Sequence, residues 1–463
     1  MTLPNDALLA AWNETLARRG RDPAIFDTQR RVLQLFCEVE EVSRAYETES
    51  GLTSFKSGEI VALQIGNHAH WPAILLACLR RGIVVLPLER TMSAHERASA
   101  LQACHASGLI VAPERAIERC EAGGEIAWGD ETPVLLKLTS GTTAAPRAIR
   151  FRSAQLVADA RQICTTMEIT EADLNFAVIP LSHSYGLSNL VTSLLVCGVP
   201  FAISGDRMPR AVLDDLARTE ATVFPGMPLF YQAFCEMPNV PSLPKLRLCI
   251  SAGAPLTRKI ARNFKKKFGR AIHSFYGASE CGGICYDRAV TDEREGFVGP
   301  AMDGAKISPN ERGDGPTQIE VRSAAVGDGY FPEPEPAKLS AGVFRPDDLV
   351  EISAAGFRLA GRLSDVINVA GKKVNPAEVE AQLLSYEGVR QAVVFGRASA
   401  SRNEEVAACV VADERTNETA LLEFCRARLS GWQVPKRVFL VAELPVSERG
   451  KISRREIAAH FAA

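Results

Sequence analysis

From about residue 58 to 280 the chain alternates between short apolar, β-branched runs and longer amphipathic stretches. The runs are Ile60–Ile65, Ile83–Leu88, Leu109–Ala112, Val134–Leu138, Phe176–Leu181, Val199–Ile203, Ala221–Phe224, Leu246–Ile250 and Ala271–Phe275. Runs of this length with few polar interruptions predict strands buried on both faces. Between them lie helix-length segments. One opens at Ser93 with Glu96 three residues on, a capping box ahead of Ala98–Ala106. Others cover Ser153–Met167 and Thr257–Phe268. Strand-helix alternation predicts an α/β fold with mostly parallel sheets flanked by helices.

The pattern changes after about residue 285. Residues 288–360 are rich in Gly, Pro and charge, with short strand-like runs such as Gln318–Arg322, and read as a β-rich subdomain. Beyond residues 361–365 comes a different alternation: helix Pro376–Leu384 with proline in its first turn, strands Val389–Phe395 and Val406–Val411, helix Ala420–Leu429 and strand Arg437–Val441. The expected organisation is a large N-terminal domain over 1–361 and a small α+β domain over 365–463.

Composition narrows the function classes. Hydrophobic residues make up 46% of the 463, enough to build cores and to exclude chain-wide disorder. The 53 basic and 55 acidic residues nearly cancel, which argues against a nucleic-acid binder. The start, MTLPNDALLAAWNETLARR, lacks the features of a secretory signal. The most apolar run, Leu190–Ser204, is too short to span a membrane and is broken by Gly198 and Pro200. The twelve cysteines are scattered; Cys281 and Cys285 are the nearest pair. They read as reduced thiols of a cytoplasmic protein, not as a disulfide framework or zinc site. His68 and His70 form a pair that lacks a third metal ligand.

The strongest chemical signal follows the Val134–Leu138 run. Thr139, Ser140, Gly141, Thr142 and Thr143 lead through Ala144, Ala145 and Pro146 to Arg147. Consecutive hydroxyls and backbone N–H groups in a tight loop can wrap phosphate oxygens. It is not a Walker A sequence. The loop resembles the phosphate loop of the adenylate-forming superfamily, which includes acyl- and aryl-CoA synthetases. Further motifs follow in that family's order. Ser251-Ala-Gly-Ala-Pro-Leu256, with Gly253 and Ala254, resembles the adenine-side loop. Tyr276, Gly277, Ser279 and Glu280 match its aromatic-Gly-x-Thr/Ser-Glu motif. Asp348 stands at the ribose-binding aspartate and Arg362 at the start of the hinge motif. Gly371 and Lys372 follow the hinge, and Gly450-Lys451 resembles the motif of the catalytic lysine. His183, in Pro180-Leu-Ser-His-Ser-Tyr-Gly186, resembles the histidine of the acyl-pocket motif.

The resemblance implies a large domain and a small mobile one, joining a carboxylic acid to ATP and then to a thiol. It implies Glu280 and Thr139 as Mg²⁺ ligands, which suits a hard cation that prefers oxygen. Tyr276 would lie against adenine, Asp348 and Arg362 would meet the ribose or phosphate, and Lys451 would bridge carboxylate and α-phosphate. Ser364 would be the pivot, and Gly371 and Lys372 the face turned to the thiol. The implied thiol is coenzyme A, with a carrier-protein phosphopantetheine as the alternative; the chain shows no segment that could be an attached carrier. The apolar run near Gly186–Val196, and the lack of an Asp in Pro180–Leu190, point to a hydrophobic acid.

Some positions depart from the family. Ala144 and Ala148 replace glycines, Arg147 replaces a lysine, Pro346-Asp347 replaces Thr-Gly, and Ser364 stands where Asp or Lys is usual. A guanidinium keeps the charge of lysine but adds a planar fork. These departures motivate a different-class alternative, a catalytically weakened homologue that binds nucleotide or acyl ligand.

Overall fold

A computed structural model describes residues 6–124, 126–129, 132–139, 146–205, 207–290, 294–310, 315–369, 372–399, 403–444 and 454–461. The chain divides into two compact units. The first comprises Met1–Glu293, Val298–Ser308 and Glu320–Arg345; the second comprises Arg294–Phe297, Pro309–Ile319 and Pro346–Ala463.

The first unit holds two sheets, each with a parallel centre and antiparallel edges. Among the described residues, one sheet runs in the order Gly282–Tyr286, Ile272–Ala278, Leu248–Ser251, Val223–Gly226, Asn175–Ala177, Phe201–Ile203, Pro23–Phe26, Val32–Leu35. The other runs Gly329–Phe331, Ala148–Phe151, Leu135–Leu138, Val84–Pro87, Ile60–Leu63, Gly108–Ile110, Glu118–Arg119. The parallel strands are buried along their length, as the continuous apolar runs require. Their crossovers are helices. The segment at Ser93 forms Ala94–Ala103, with the Ser93 hydroxyl accepting from the Glu96 N–H and the Glu96 carboxylate from the Ser93 N–H.

Phe224 shows how the first sheet is held against its helices. It sits 6.1 Å from Phe176 on the neighbouring strand and 5.6–6.2 Å from Phe230, Tyr231 and Phe234 on helix Pro228–Glu236. Burying a side chain of this size contributes about 2–3 kcal/mol. The Tyr231 hydroxyl inside the cluster donates to the Ile250 carbonyl at 2.8 Å, so its polar end is satisfied.

One apolar stretch forms a shorter strand than expected, and the most apolar run divides into several elements. In Phe176–Leu181 the strand is Asn175–Ala177, because the chain must turn at Pro180 to bring out the next loop. Leu190–Ser204 is a π-helical turn, a short helix and strand Phe201–Ile203, separated by Gly198 at φ 69°. No helix among the described residues is long and apolar enough to cross a membrane.

In the second unit, Asp348–Ser353 and Gly356–Arg362 form a hairpin, and Thr317–Gln318 pairs with Leu349–Val350. A further sheet runs Lys372–Val374, Ile367–Val369, Asn403–Ala412, Val389–Ser399, with Arg437–Leu440 parallel to Asn403–Ala412. Helices Pro376–Leu384 and Glu418–Arg426 supply Val379, Leu383, Leu421 and Cys425 to one core face. Helix Arg454–His460 supplies Ile457 to the other.

Candidate active site

In an α/β sheet, ligands bind outside the carboxyl ends of parallel strands. In the first unit those ends carry the motifs. Asn175–Ala177 leads to His183, Leu248–Ser251 leads to Gly253 and Ala254, and Ile272–Ala278 contains Tyr276 and Gly277 and leads to Ser279 and Glu280. One hydrogen bond ties two of these loops together, and another fixes a side chain within the first. The Ser184 hydroxyl donates to the Ser279 hydroxyl at 2.9 Å, joining the acyl-pocket motif to the glutamate motif. His183 Nδ1 accepts from the Tyr185 N–H at 3.2 Å, which orients the imidazole at the start of its short turn.

The glutamate loop needs its glycine. A Cβ on Gly277 would lie 2.7 Å from the Gly282 carbonyl, so the two strands could not approach as closely with any other residue. Tyr276 beside it is buried, and Gly253 on the neighbouring loop sits at φ +83°.

The candidate phosphate loop joins two antiparallel strands, and helix Ser153–Thr166 follows only after the second. Its base is closed: the Thr139 N–H donates to the Arg147 carbonyl at 2.9 Å, and the Thr139 hydroxyl does so at 3.2 Å. Ser140, Gly141, Thr142, Thr143 and Ala144 lie outside the described residues. Ala148 is in regular strand and fully buried, so this position has no need of glycine.

Arg147 is engaged twice. Its guanidinium lies over the Tyr330 ring with Cζ 3.9 Å from the centroid, and Nη1 lies 2.8 Å from Glu335 Oε2. The Tyr330 hydroxyl donates to Glu280 Oε1 at 2.9 Å. Burial, and then the Glu280 carboxylate, push the Tyr330 hydroxyl far above its ordinary value, so it stays a donor. Glu280 thus presents an oriented carboxylate whose Oε1 is held by one hydroxyl. A hard oxygen donor of this kind fits Mg²⁺, which binds through one or two carboxylates plus phosphate oxygens.

Behind this loop lies Lys137, 4% exposed, with Nζ 4.3 Å from the Phe151 ring centroid. Burial lowers its pKa, opposed by Asp159, Cys281 and Glu280. Asp159 is itself fixed by the Ser188 hydroxyl at 2.5 Å and the Gly283 N–H at 3.3 Å. Sequence reasoning missed both Lys137 and Tyr330. The available signals were a lysine inside an apolar run and an aromatic between Gly329 and Phe331 in an otherwise turn-like stretch.

Two aromatic rings meet beside the His183 loop. Tyr185 is 5.8 Å from Phe275, and its hydroxyl is buried with no hydrogen-bond partner among the described residues. His68 and His70 stand edge to face at 4.9 Å, away from these motifs in the chain. Among the described residues, no group of three or more His, Cys, Asp or Glu is arranged to hold a metal ion.

The second unit carries the other candidates. Asp348 and Arg362 face each other across the hairpin, with Arg362 Nε 2.9 Å from Asp348 Oδ1. The backbone of Ser364 lies in the turn Leu363–Asp365. Lys372 Nζ sits 3.8 Å from the Trp432 ring centroid, on a strand edge. Gly371, Gly450 and Lys451 lie outside the described residues. Arg454, three positions beyond Lys451, is held by Asp365 at 2.6 Å and Glu380 at 2.8 Å.

Models of known families match most of the chain. The model of the AMP-binding enzyme family matches residues 14–128 and 123–331, and that of the AMP-binding enzyme C-terminal domain matches 378–451. A probable CoA ligase of Humulus lupulus is 27% identical, covering 88% of this chain and 87% of its own. A feruloyl-CoA synthase of an Amycolatopsis species is 29% identical over 88% and 89%. The ATP-bound structure of MatB from Rhodopseudomonas palustris superposes with a TM-score of 0.85 at 24% identity, covering 98% of each chain.

Proposed function

The chain belongs to the AMP-binding enzyme family, and on that premise we propose that it is an AMP-forming acid–thiol ligase that uses ATP and coenzyme A. In the first half-reaction a carboxylate oxygen attacks the α-phosphorus of ATP, and pyrophosphate leaves. In the second, the thiol sulfur of coenzyme A attacks the acyl carbon, AMP leaves and the thiol proton is lost to solvent or base. The observation that carries the reading is the Ser184–Ser279 hydrogen bond, which ties the acyl-side His183 loop to the Glu280 loop.

Both reactants of the first step are anions, so the chain's work is positioning and charge neutralisation. Glu280, assisted by Thr139, would hold Mg²⁺, which when bound neutralises phosphate charge. Arg147, with Ser140, Gly141, Thr142 and Thr143, would bind the phosphates. Tyr276, with Gly253 and Ala254, borders the adenine. Asp348 accepts from the ribose hydroxyls, with Arg362 donating beside it. Lys451 bridges the carboxylate and the α-phosphate. His183 borders the carboxylate. Ser364, in the turn Leu363–Asp365 inside the second unit, is the pivot in this reading, and rotation there would bring Gly371 and Lys372 toward the pantetheine arm.

The acid is hydrophobic in this reading. Phe275 precedes the Tyr276 motif and packs against Tyr185, two residues after His183, and both are buried. No charged side chain lies in Pro180–Leu190 to meet a second carboxylate or an ammonium. Coenzyme A is favoured over a carrier protein as acceptor, in line with relatives that are named CoA ligases. Pyrophosphate exchange across fatty, aryl, dicarboxylic and amino acids, followed by thioester formation with coenzyme A, tests the reading. Exchange confined to apolar acids supports it; no exchange with any acid would leave only a ligand-binding role.

A further inference from the structure

Tyr330 lies outside every motif that pointed to the function, yet it touches two of them. It sits on strand Gly329–Phe331, antiparallel to Ala148–Phe151, with Tyr330 opposite Ile149. The ring is 1% exposed and forms the platform under Arg147, at 3.9 Å. Its hydroxyl donates to Glu280 Oε1 at 2.9 Å. Just before the strand, the Gly327 N–H donates to the Glu280 carbonyl at 2.8 Å, so the same segment grips both the main chain and the side chain of Glu280. Arg152, two residues beyond the strand position paired with Tyr330's neighbours, clamps Asp328 through two bonds of 2.8 Å, and Gln155 adds a third at 2.7 Å. The segment is therefore anchored independently of Tyr330.

We propose that Tyr330 is a positioning residue for metal-dependent nucleotide binding, presetting the Glu280 carboxylate through its hydroxyl and the Arg147 guanidinium through its ring. The inference rests on the reading of Glu280 as the Mg²⁺ ligand. A glutamate side chain has three free torsions, and an unheld one must be ordered when the ion binds. The phenol removes that freedom beforehand while occupying a lone pair of Oε1 and leaving Oε2 for the ion. A hydroxyl bound to a carboxylate also draws charge from it, which works against metal binding. Only one of about four acceptor positions is used, which limits that loss, and the proposal is that ordering exceeds it. The ring acts separately: it lies under the Arg147 guanidinium and gives that cation a fixed place.

Tyr330→Phe and Tyr330→Leu separate the two contributions, with Glu280→Gln as the reference. Binding of ATP is measured by calorimetry with and without Mg²⁺, alongside the Mg²⁺ dependence of pyrophosphate release. Tyr330→Phe is expected to raise the Mg²⁺ needed for half-saturation about fivefold, leaving metal-free ATP binding within about twofold, since a neutral platform for Arg147 remains. Tyr330→Leu should also weaken metal-free ATP binding. Adding Tyr330→Phe to Glu280→Gln should change little beyond Glu280→Gln alone, because residues acting through one another are not additive. An unchanged or lowered Mg²⁺ requirement in Tyr330→Phe, with Glu280→Gln impaired, overturns the role of Tyr330. An unimpaired Glu280→Gln overturns the metal-ligand reading itself. Thermal unfolding of each variant distinguishes a folding defect: equal loss of metal-free and metal-bound affinity with a lowered Tm assigns Tyr330 a purely structural role and overturns the proposal.

Discussion

Arg454 and Glu380 are bound to each other through two contacts, Nη2 to Oε1 at 2.9 Å and Nη2 to Oε2 at 2.8 Å. They come from opposite ends of the small unit's sequence. Glu380 lies on helix Pro376–Leu384, and its Oε1 also accepts from the Val394 N–H at 2.8 Å. Arg454 opens the last helix, three residues after Lys451, and its Nη1 reaches Asp365 beside Ser364. One guanidinium therefore ties the segment that carries the proposed catalytic lysine to the turn that carries the proposed pivot. Burial raises the pKa of Glu380 and Arg454 opposes that shift, so the pair holds a charge the core would otherwise reject.

Arg454→Met should destabilise the small unit by about 2–3 kcal/mol, because it leaves a carboxylate poorly solvated and without its cation. Adding Glu380→Gln should recover about half of that loss. Urea unfolding of the two variants measures it. A single variant as stable as wild type would show that the pair contributes nothing net.

Lys451→Ala should cut acyl-adenylate formation at least about 100-fold, the scale of losing one group that stabilises developing charge. Its unfolding midpoint should stay within a degree or two of wild type. Adenylate formation within about threefold of wild type, under 1 kcal/mol of barrier, would remove Lys451 from the reaction.

Asp173 offers a pH test in the large unit. Burial would raise its pKa, but two bonds from Arg247 at 2.6 and 2.7 Å, the Thr170 N–H and the Thr222 hydroxyl hold it below 3.8. A depressed carboxylate contributes stability that is present above its unfolded pKa and lost as pH falls through the folded one. Asp173→Asn should therefore cost about 1–2 kcal/mol at pH 7, and the difference from wild type should shrink as the pH falls below 3.8. Unfolding curves from pH 7 to 2.5 check it; a gap that does not close with acid means that the charge is not the source.

Local signals carried the fold where packing agreed with them. Pro376–Leu384 has the bounds expected from its proline and apolar spacing, and the Ser93–Glu96 capping box starts its helix as expected. The parallel strands were visible because full burial leaves unbroken apolar runs. The first fifty residues were opaque. Helices Ala7–Arg19 and Phe36–Glu49 keep polar residues on much of their surface and bury only a narrow stripe. The motifs named candidate residues, but not the groups that hold them. Tyr330 meets Glu280 across fifty positions and Arg454 meets Asp365 across eighty-nine. Only the folded chain brings such pairs together.

Ser364→Pro should separate the two half-reactions. Ser364 lies in the short turn Leu363–Asp365, which follows the Gly356–Arg362 strand and precedes Ile367–Val369. Proline fixes φ near −65°, a value a 3₁₀ turn accepts, so the substitution favours the backbone seen here over alternatives. It also disfavours the helical region for Leu363, which adds strain that a melting curve will register. Adenylation needs one arrangement of the hinge and the full cycle needs two, so a locked turn should slow the steps unequally. The expected outcome is thioester formation from preformed acyl-AMP and coenzyme A reduced at least about tenfold more than acyl-AMP formation from ATP and acid. Single-turnover assays of each step, with Tm measured alongside, decide it. Equal loss in both steps at an unchanged Tm would place the pivot elsewhere in 361–365, and a normal second step would mean that turnover here does not need the hinge to move.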